Sequence, residues 1–300
     1  YLKKSPEEFD IATSATPDEI QSVFEHTKPV GQSFGVVLVI VSNFSFEVAT
    51  FRKDMKYEDG RHPINVIYTK SQKEDVKRRD FTINGLMLDP DTAEIFDYCG
   101  GIEDIQSKKI RAIGVPEERF SEDYLRMLRA VQFAARFDFR IESETMKQIK
   151  KNINLIKTVS AERFQEEFKK MFEKGTPSVG VDLLQQTGIL KKLFPRARDP
   201  FPMEYDKLDK KAFPAFLAVL LRGHKSKDIQ KVMKLSNEDT NAVTDVLKYM
   251  SMRDVDSDVG LVKFIRTTSP RGLKNVNYVL KAQRKLDLDY RLNSMRRIGK

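Results

Sequence analysis

Polar and apolar positions alternate near the start of the chain, as they do along a half-buried strand. Over residues 8–11, Glu8 and Asp10 take one face and Phe9 and Ile11 take the other, which we expect to face a core. A period of two places the Cα atoms of the two acids roughly 7 Å apart. The pattern therefore predicts a strand that carries two carboxylates on its polar face.

A helix and a buried strand are predicted next. Thr16 suits the helix N-cap, Pro17 suits the first helical position, and Glu19 closes a capping box. We expect this helix to end near residues 26–28. A continuous run of apolar residues at 34–41 then predicts the buried strand.

Another strand is predicted over residues 44–50, where Phe44, Phe46 and Val48 share one face and Glu47 takes the other. Glu47 is therefore the one acid in this part of the chain that a neighbouring strand could direct toward the two carboxylates of the first strand. An exposed glutamate with no further role is an equally good interpretation of the pattern.

Helical periodicity begins near Ser121 and continues through most of the remaining chain. Ser121 is predicted as an N-cap, and Asp123, Arg126 and Arg129 then share one helical face through their i, i+3 spacing. The opposite, packing face is formed by Leu125, Leu128 and Ala135.

Further helices follow, with breaks at glycine and proline. One helix, over residues 161–172, is predicted to bury Phe164, Phe168, Met171 and Phe172. A break at residues 175–177 ends it, and a proline-rich segment at residues 199–202 marks a domain boundary. Later helices are predicted over residues 212–221, 227–235, 237–250 and 272–284.

Composition sets limits on these predictions. A chain of 300 residues that is 40% hydrophobic and 32% charged is long enough for two domains, and it contains neither an apolar run of membrane-spanning length nor a signal peptide. The single cysteine, Cys99, excludes an internal disulfide and favours a cytoplasmic location. Because the first residue is Tyr1, we expect a fragment of a longer chain.

Charge is distributed unevenly along the chain. Residues 1–140 contain 20 basic and 24 acidic side chains, whereas residues 141–300 contain 33 basic and 20 acidic ones. An acidic first part can hold metal ions, and a basic second part suits a polyanion such as RNA. A well-solvated helical surface would give the same charge pattern, so charge alone leaves both interpretations open.

The polar residues suggest a chemistry. Two carboxylates on one strand face can bind a hard cation such as Mg²⁺, although an exposed strand face explains them as well. In the Arg-Arg-Asp-Phe-Thr-Ile-Asn segment, Arg78 and Arg79 offer forked donors for phosphate, and Asn84 can bind a sugar hydroxyl. The alternative for this segment is an ion pair between Arg79 and Asp80 that stabilises a helix start.

A carboxylate and a guanidinium on one helical face can present an acceptor and donors to a nucleobase. Asp123 and Arg126 have this relationship. An exposed intrahelical ion pair, which is common and contributes under about 1 kcal/mol, is the alternative.

Taken together and in this order, these motifs resemble the class II nucleotidyltransferase family, which contains the CCA-adding tRNA nucleotidyltransferases and the bacterial poly(A) polymerases. The similarity covers roughly residues 2–195. Residues 8–13 resemble the family's metal-binding acids, residues 46–52 its strand with a third acid, residues 78–84 its ribose motif, and residues 122–126 its base-template motif. Residues 161–163 resemble its last helical motif.

The resemblance implies an α+β fold with a small mixed β-sheet head of polymerase-beta type, followed by helical neck, body and tail. It implies a nucleotidyltransferase head over residues 1–112, a neck with the template helix over residues 113–198, and an RNA-binding body and tail over residues 199–300.

The implied reaction is attack of a tRNA 3′-hydroxyl on the α-phosphate of CTP or ATP, with two Mg²⁺ ions. The implied partners are the tRNA 3′ end, CTP and ATP, without DNA or a membrane. Glu8, Asp10 and Glu47 would be catalytic, and the first two would bind metal. The nucleotide would be bound by Arg78, Arg79, Asp80, Asn84, Asp123, Arg126 and Arg129.

The chain also departs from the family pattern. The family's Gly-Gly-x-Val-Arg-Asp segment, which holds the triphosphate, would precede Tyr1, and Glu8 stands where the family has aspartate. Gln132 stands where many relatives have arginine. Poly(A) synthesis, separate CC or A addition, and a non-catalytic RNA-binding relative therefore stay open as alternatives.

Overall fold

The computed structural model describes residues 9–29, 35–55, 66–197, 205–252, 257–283 and 288. The chain divides into two compact units, of which the first contains residues 1–126 and 140–148 and the second contains residues 127–139 and 149–300. The division at residues 112 and 198, which came from the sequence, stays a prediction. No helix in the described ranges is long and apolar enough to cross a membrane.

A four-stranded mixed sheet forms part of the first unit. Its strands are β1 (Asp10–Thr13), β2 (Thr27–Pro29), β3 (Val36–Val41) and β4 (Phe44–Thr50). They are ordered β1-β4-β3-β2, with β1 parallel to β4 and the other neighbours antiparallel. The predicted strands are thus present, and β3 and β4 form a hairpin.

Helix α1 (Pro17–Val23) begins as the sequence predicts. The Thr16 side chain accepts from the backbone N–H of Glu19, and the Glu19 side chain accepts from the backbone N–H of Thr16. The helix ends three residues before the predicted range. Its Ile20 joins a small core with Val37 and Val39.

The predicted burial of Phe9 and Ile11 is wrong, because their exposed fractions are 63% and 42%. The register pairs Ile11 with Val48, so both face the same side of the sheet, yet Val48 is buried. The difference comes from position in the sheet. The core lies over β3 and β4, whereas β1 is an edge strand that this core does not cover.

The rest of the first unit consists of short elements around this sheet. These are β5 (Arg52–Asp54), β6 (Val66–Tyr68), α2 (Gln72–Lys77), a 3-10 turn (Thr82–Asn84), β7 (Leu86–Leu88), β8 (Ile95–Asp97), α3 (Gly101–Gln106), β9 (Lys109–Ile110), α4 (Pro116–Glu122) and β10 (Arg140–Ile141). Strands β5 and β6 form an antiparallel pair, and residues 56–65 between them lie outside the described residues.

The helix start predicted at Ser121 is wrong. Helix α4 starts earlier, at Pro116, and Ser121 lies in its last turn, where its hydroxyl donates to the carbonyl of Glu118. Proline at the first helical position and two acids in the first turn make Pro116 the stronger start signal. The next helix, α5 (Arg126–Phe137), begins separately after Asp123.

The second unit is helical. Besides most of α5, it contains α6 (Ser143–Asn152) from Ile149 onward, a 3-10 segment (Ile153–Thr158), α7 (Ala161–Lys174), α8 (Pro177–Gln186), α9 (Ile189–Leu193), a 3-10 turn (Tyr205–Lys207), α10 (Phe213–Leu220), α11 (Ser226–Met233), α12 (Asn237–Ser251), α13 (Asp258–Arg266) and α14 (Pro270–Ala282). Helices α7, α10, α11, α12 and α14 correspond to helices predicted from the sequence, whereas α6, α8 and α13 have no predicted counterpart.

Aromatic packing organises the core of this unit. The four apolar residues predicted to be buried in α7 are all buried. The ring of Phe172 stacks on Phe216 of α10 at 4.6 Å between centroids, and Phe216 also meets Phe168 at 6.4 Å. Helix α10, which is apolar on all sides, is fully buried.

Glu142 gives a pH-dependent test of the first unit. Burial acts to raise the pKa of its carboxyl, but the backbone N–H groups of Glu144 and Thr145, together with nearby hydroxyls, lower this pKa to about 2. A lowered folded-state pKa means that the stabilisation is complete above the unfolded value of 4.5 and is lost as the pH falls toward 2.

We therefore expect Glu142→Gln to lose about 1 kcal/mol of unfolding free energy at pH 7, as loss of a helix cap does. The difference from the unmodified chain should shrink as the pH falls below 4.5, in urea unfolding measured across pH. Glu94→Gln, at an exposed position, is the control. A difference that stays constant from pH 7 to pH 2 would contradict this cap.

Candidate functional site

Two carboxylates meet on one face of the sheet in the first unit. Asp10 on β1 and Glu47 on β4 are register partners in the parallel pair, so their side chains leave the sheet on the same side. The Cα atoms of such partners are roughly 5 Å apart. Both side chains are exposed, and neither makes an ion pair with another described residue. Of the two interpretations that the alternation left open for Glu47, this register places it beside a carboxylate of the first strand.

These residues fit a hard divalent cation. Two exposed carboxylates without a basic partner repel each other, and a cation with oxygen ligands relieves that repulsion. Glu8, the third predicted acid, lies outside the described residues. Among the described residues there is no group of three metal-binding side chains, so the site as described here rests on Asp10 and Glu47.

Arg78 and Arg79 follow the end of helix α2, and a single buried carboxylate holds both. Asp75, which is 1% exposed, accepts from Nε of Arg78 at 2.8 Å and from a terminal nitrogen of Arg79 at 3.1 Å. It also accepts the backbone N–H of Arg52 at 3.2 Å. The two guanidinium groups are therefore fixed side by side.

Asp80 and Asn84 form a second small cluster directly after these arginines. The Asp80 carboxylate accepts from the backbone N–H of Phe81 at 2.8 Å and from the side-chain amide of Asn84 at 3.0 Å. Arg79 donates to the carbonyl of Asn84 at 3.3 Å. The four predicted residues of this segment thus lie together, with Asn84 oriented by Asp80.

The predicted template residues are arranged differently from the prediction. Asp123 is not helical: it follows the last residue of α4 with extended backbone angles of −153° and 106°. Its carboxylate accepts the N–H of Leu125 at 3.0 Å, and its carbonyl accepts the N–H of Arg126 at 3.0 Å. Asp123 therefore leads into α5, and the predicted face shared with Arg126 and Arg129 on one helix is wrong.

Arg126 is anchored by Glu122 and by backbone carbonyls. One terminal nitrogen contacts Glu122 at 2.6 Å and the carbonyl of Arg119 at 2.9 Å, and the other contacts the carbonyl of Arg78 at 3.0 Å. Burial raises the pKa of Glu122 above its ordinary value, although the neighbouring guanidiniums of Arg119 and Arg126 lower it.

Arg129 belongs to the second unit. Its guanidinium contacts the buried carboxylate of Glu167 at 3.4 Å and lies over the ring of Phe133 at 5.0 Å. Gln132, in the same helix, is also buried.

Sequence reasoning missed Asp75 and Arg119 entirely. It also missed that Glu122 forms ion pairs with two arginines. Each had a signal in the spacing of charges along the sequence. Asp75 precedes the two arginines by three and four residues, and Glu122 lies three after Arg119 and four before Arg126. Helices α2 and α4 had to be recognised first for this spacing to carry meaning.

Comparison with known protein families gives two matches. Residues 1–111 match the family described as the poly A polymerase head domain. Residues 138–199 match a family described as the probable RNA and SrmB-binding site of polymerase A.

Similar curated proteins are CCA-adding enzymes of bacteria. That of Enterococcus faecalis is 48% identical over 170 residues, which are 57% of this chain and 42% of the relative. That of Staphylococcus epidermidis is 36% identical over 242 residues, which are 80% of this chain and 60% of the relative. The chain thus spans about half the length of the curated relatives it matches.

Solved structures of CCA-adding enzymes share the fold. The enzyme of Bacillus stearothermophilus in complex with CTP aligns with a TM-score of 0.81 and 28% identity over 99% of this chain and 74% of that one. The enzyme of Thermotoga maritima in complex with tRNA aligns with a TM-score of 0.70 over 97% of this chain and 73% of that one. At 19% identity, the second comparison supports the fold alone.

The buried carboxylate of Asp75 can be tested through stability. Asp75→Asn leaves two arginines without their shared counter-charge, and we expect a loss of about 3 kcal/mol, the lower end for a broken buried pair because both guanidiniums keep some solvent. Urea unfolding combined with hydrogen exchange of the α2 amides measures it. Glu74→Gln, which breaks only the exposed pair with Lys77, should cost under about 1 kcal/mol. Equal losses in the two variants would contradict the central place of Asp75.

Proposed function

We propose that this chain, which belongs to the class II nucleotidyltransferase family, adds CMP and AMP to the 3′ end of tRNA from CTP and ATP. The observation that carries the proposal is the pairing of Asp10 with Glu47 on adjacent parallel strands, in the same compact unit as Arg78 and Arg79. The names of the bacterial relatives support the choice of CCA addition.

Asp10 and Glu47, together with Glu8, would hold Mg²⁺. When bound there, the metal supplies a lowered pKa for the attacking hydroxyl and charge stabilisation for the departing pyrophosphate. Asp10 and Glu47 would hold this positive charge at the sheet face. Most of the catalytic effect then comes from positioning and from charge stabilisation, as in other phosphoryl transfers.

The segment after α2 would bind the sugar and phosphates of the nucleotide. Because Asp75 holds Arg78 and Arg79 side by side, their remaining N–H groups form a preorganised set of donors for anionic oxygens. Asn84, oriented by Asp80, can accept from or donate to a ribose hydroxyl.

Arg126 and Asp123 would select the base. A guanidinium has five N–H groups, and Arg126 uses three of them on Glu122 and two carbonyls, which leaves two for a ligand. Cytosine and adenine both present an amine beside a ring acceptor, so a carboxylate with a guanidinium can bind either. Uracil and guanine present the reverse order. Arg129, which the sequence predicted to bind the nucleotide, lies in the second unit, and its role stays a prediction.

The basic residues of the chain after residue 140 would bind the tRNA through its phosphates. The matched RNA-binding family over residues 138–199 supports this. A cytoplasmic location, favoured by the single cysteine, stays a prediction.

Poly(A) synthesis is the second candidate, because the family matched by the head is named for poly(A) polymerase. The two activities differ in where they stop. On a tRNA without its CCA end, CCA addition ends after three nucleotides and requires CTP, whereas poly(A) synthesis continues with ATP alone.

The metal site gives the first test of the proposed activity. Asp10→Asn and Glu47→Gln in the complete gene product should each lower CMP incorporation at least about 100-fold, since each removes charge stabilisation at the reacting phosphate. Binding of tRNA should stay unchanged. Glu25→Gln, at an exposed position of the same unit, is the control.

Glu8→Asp restores the residue that the family resemblance predicts, and the rate should be maintained or rise. Near-normal CMP incorporation by Asp10→Asn would remove Asp10 from the metal site.

The base template gives the second test. Asp123→Ala and Arg126→Ala should lose selectivity for CTP and ATP over UTP and GTP, because each mismatched buried polar group costs about 1–3 kcal/mol in the intact site. Incorporation of each single nucleotide into a tRNA lacking its 3′ end measures the relative rates. Glu118→Ala, exposed on α4, is the control. Relative rates that stay the same in both variants would leave these residues without a part in base choice.

A further inference from the structure

Arg119 on α4 makes two contacts that join separate parts of the first unit. One terminal nitrogen donates to the carbonyl of Lys77 at 2.7 Å, and the other forms an ion pair with one carboxylate oxygen of Glu122. The side chain of Arg119 is only 16% exposed. A surface arginine would be mobile, whereas both terminal nitrogens of this guanidinium are bound.

Glu122 also contacts Arg126, so it links the two arginines. Its second carboxylate oxygen contacts Arg126 at 2.6 Å, while Arg126 donates to the carbonyl of Arg78 at 3.0 Å. Arg119 and Arg126 therefore flank one carboxylate, and each reaches a carbonyl at the end of helix α2. We call these three residues, Arg119, Glu122 and Arg126, the arginine clamp.

The clamp uses groups that the end of a helix leaves available. The last carbonyls of an α-helix have no partner within the helix, and the negative end of its dipole favours cations there. Both arginines of the clamp are bound to carbonyls of adjacent residues, Lys77 and Arg78. The direction of the Arg126 guanidinium is thus set by the backbone of α2.

We propose that Arg119 is a positioning residue for base selection, which acts through Glu122 to fix the guanidinium of Arg126. This inference rests on the proposed role of Arg126 as a base-reading residue. Arg119 itself need not touch the nucleotide. Without it, Glu122 loses the partner of one oxygen and can rotate, and Arg126 then presents its two remaining N–H groups in more than one direction.

The geometry favours this role over simple stabilisation of α4. An arginine that only stabilised its helix would be satisfied by the pair with Glu122, three residues away. Arg119 also donates a hydrogen bond to the backbone carbonyl of Lys77, in another helix. Arg126 likewise donates to the carbonyl of the following residue, Arg78. The two arginines are therefore mechanically linked through Glu122 and α2.

The test is single-nucleotide incorporation with CTP, ATP, UTP and GTP by the complete gene product. We expect Arg119→Gln to lower the preference for CTP over UTP about tenfold, the size of one lost hydrogen bond in a dry site. Arg119→Lys, which keeps a charge for Glu122, should recover part of that preference. Arg140→Gln removes an exposed arginine of the same unit and should change nothing.

A double variant separates positioning from stability. If Arg119 acts through Arg126, then Arg119→Gln should lower selectivity no further in an Arg126→Ala background. All variants are assayed below the melting temperature of the least stable one, so that each is folded. A slowing of all four nucleotides by the same factor in Arg119→Gln, or additive selectivity losses in the double variant, would overturn the inference.

Failure of this inference can be told apart from failure of the proposed function. If Arg126→Ala loses selectivity while Arg119→Gln keeps it, the positioning role is wrong and the base-reading role of Arg126 stands. If the unmodified protein does not prefer CTP and ATP, or Arg126→Ala keeps the preference, the proposed function fails and this inference fails with it.

Discussion

The arrangement of the first unit depends on one buried charge, the carboxylate of Asp75. An ionised group that is 1% exposed is tolerated only when donors replace its lost water. Asp75 obtains them from the backbone of Arg52 and from two guanidiniums, and this fixes where α2 lies against β5 and which way the two arginines point. Its requirement for donors therefore sets the geometry of the phosphate-binding candidates.

The same helix serves two purposes at its C-terminal end. Asp75, in its last turn, forms ion pairs with Arg78 and Arg79. The backbone carbonyls at its end accept hydrogen bonds from a second pair of arginines, Arg119 and Arg126. Asp75 and Glu122 each pair with two of these four arginines, and Asp80 and Asp123 lie in the same two segments. One helix end therefore orients four guanidiniums at once.

Local patterns were sufficient for the elements whose signals are redundant. The capping box of α1 and the alternation in β4 each use several residues, and the structure confirms both. The alternation also put Glu47 on the face away from Phe44, Phe46 and Val48, but only the pairing of β1 with β4 brings it beside Asp10. The alternation could not show that Phe9 and Ile11 stay exposed, because period two tells which residues share a face and not whether another layer covers that face.

The template residues show a second limit of sequence patterns. Nearly all residues in the range 116–137 favour a helix. The i, i+3 spacing of Asp123, Arg126 and Arg129 therefore predicts that the three share one face of a single helix. The chain breaks its helix at Asp123 instead, where the carboxylate binds the N–H of Leu125. Two adjacent helices and one continuous helix give similar periodicity, and only hydrogen bonding at the junction distinguishes them.

The parallel pairing of β1 with β4 has a consequence for the order of folding. Hairpin β3–β4 closes a short loop, whereas β1 must join β4 across the 30 residues between them, which carries a larger entropic cost. We therefore expect the two carboxylates to approach each other only late in folding, in a step that their mutual repulsion opposes. A divalent cation held by both carboxylates would bind the joined strands and not the separated ones, and it would then shift this equilibrium toward the docked edge strand.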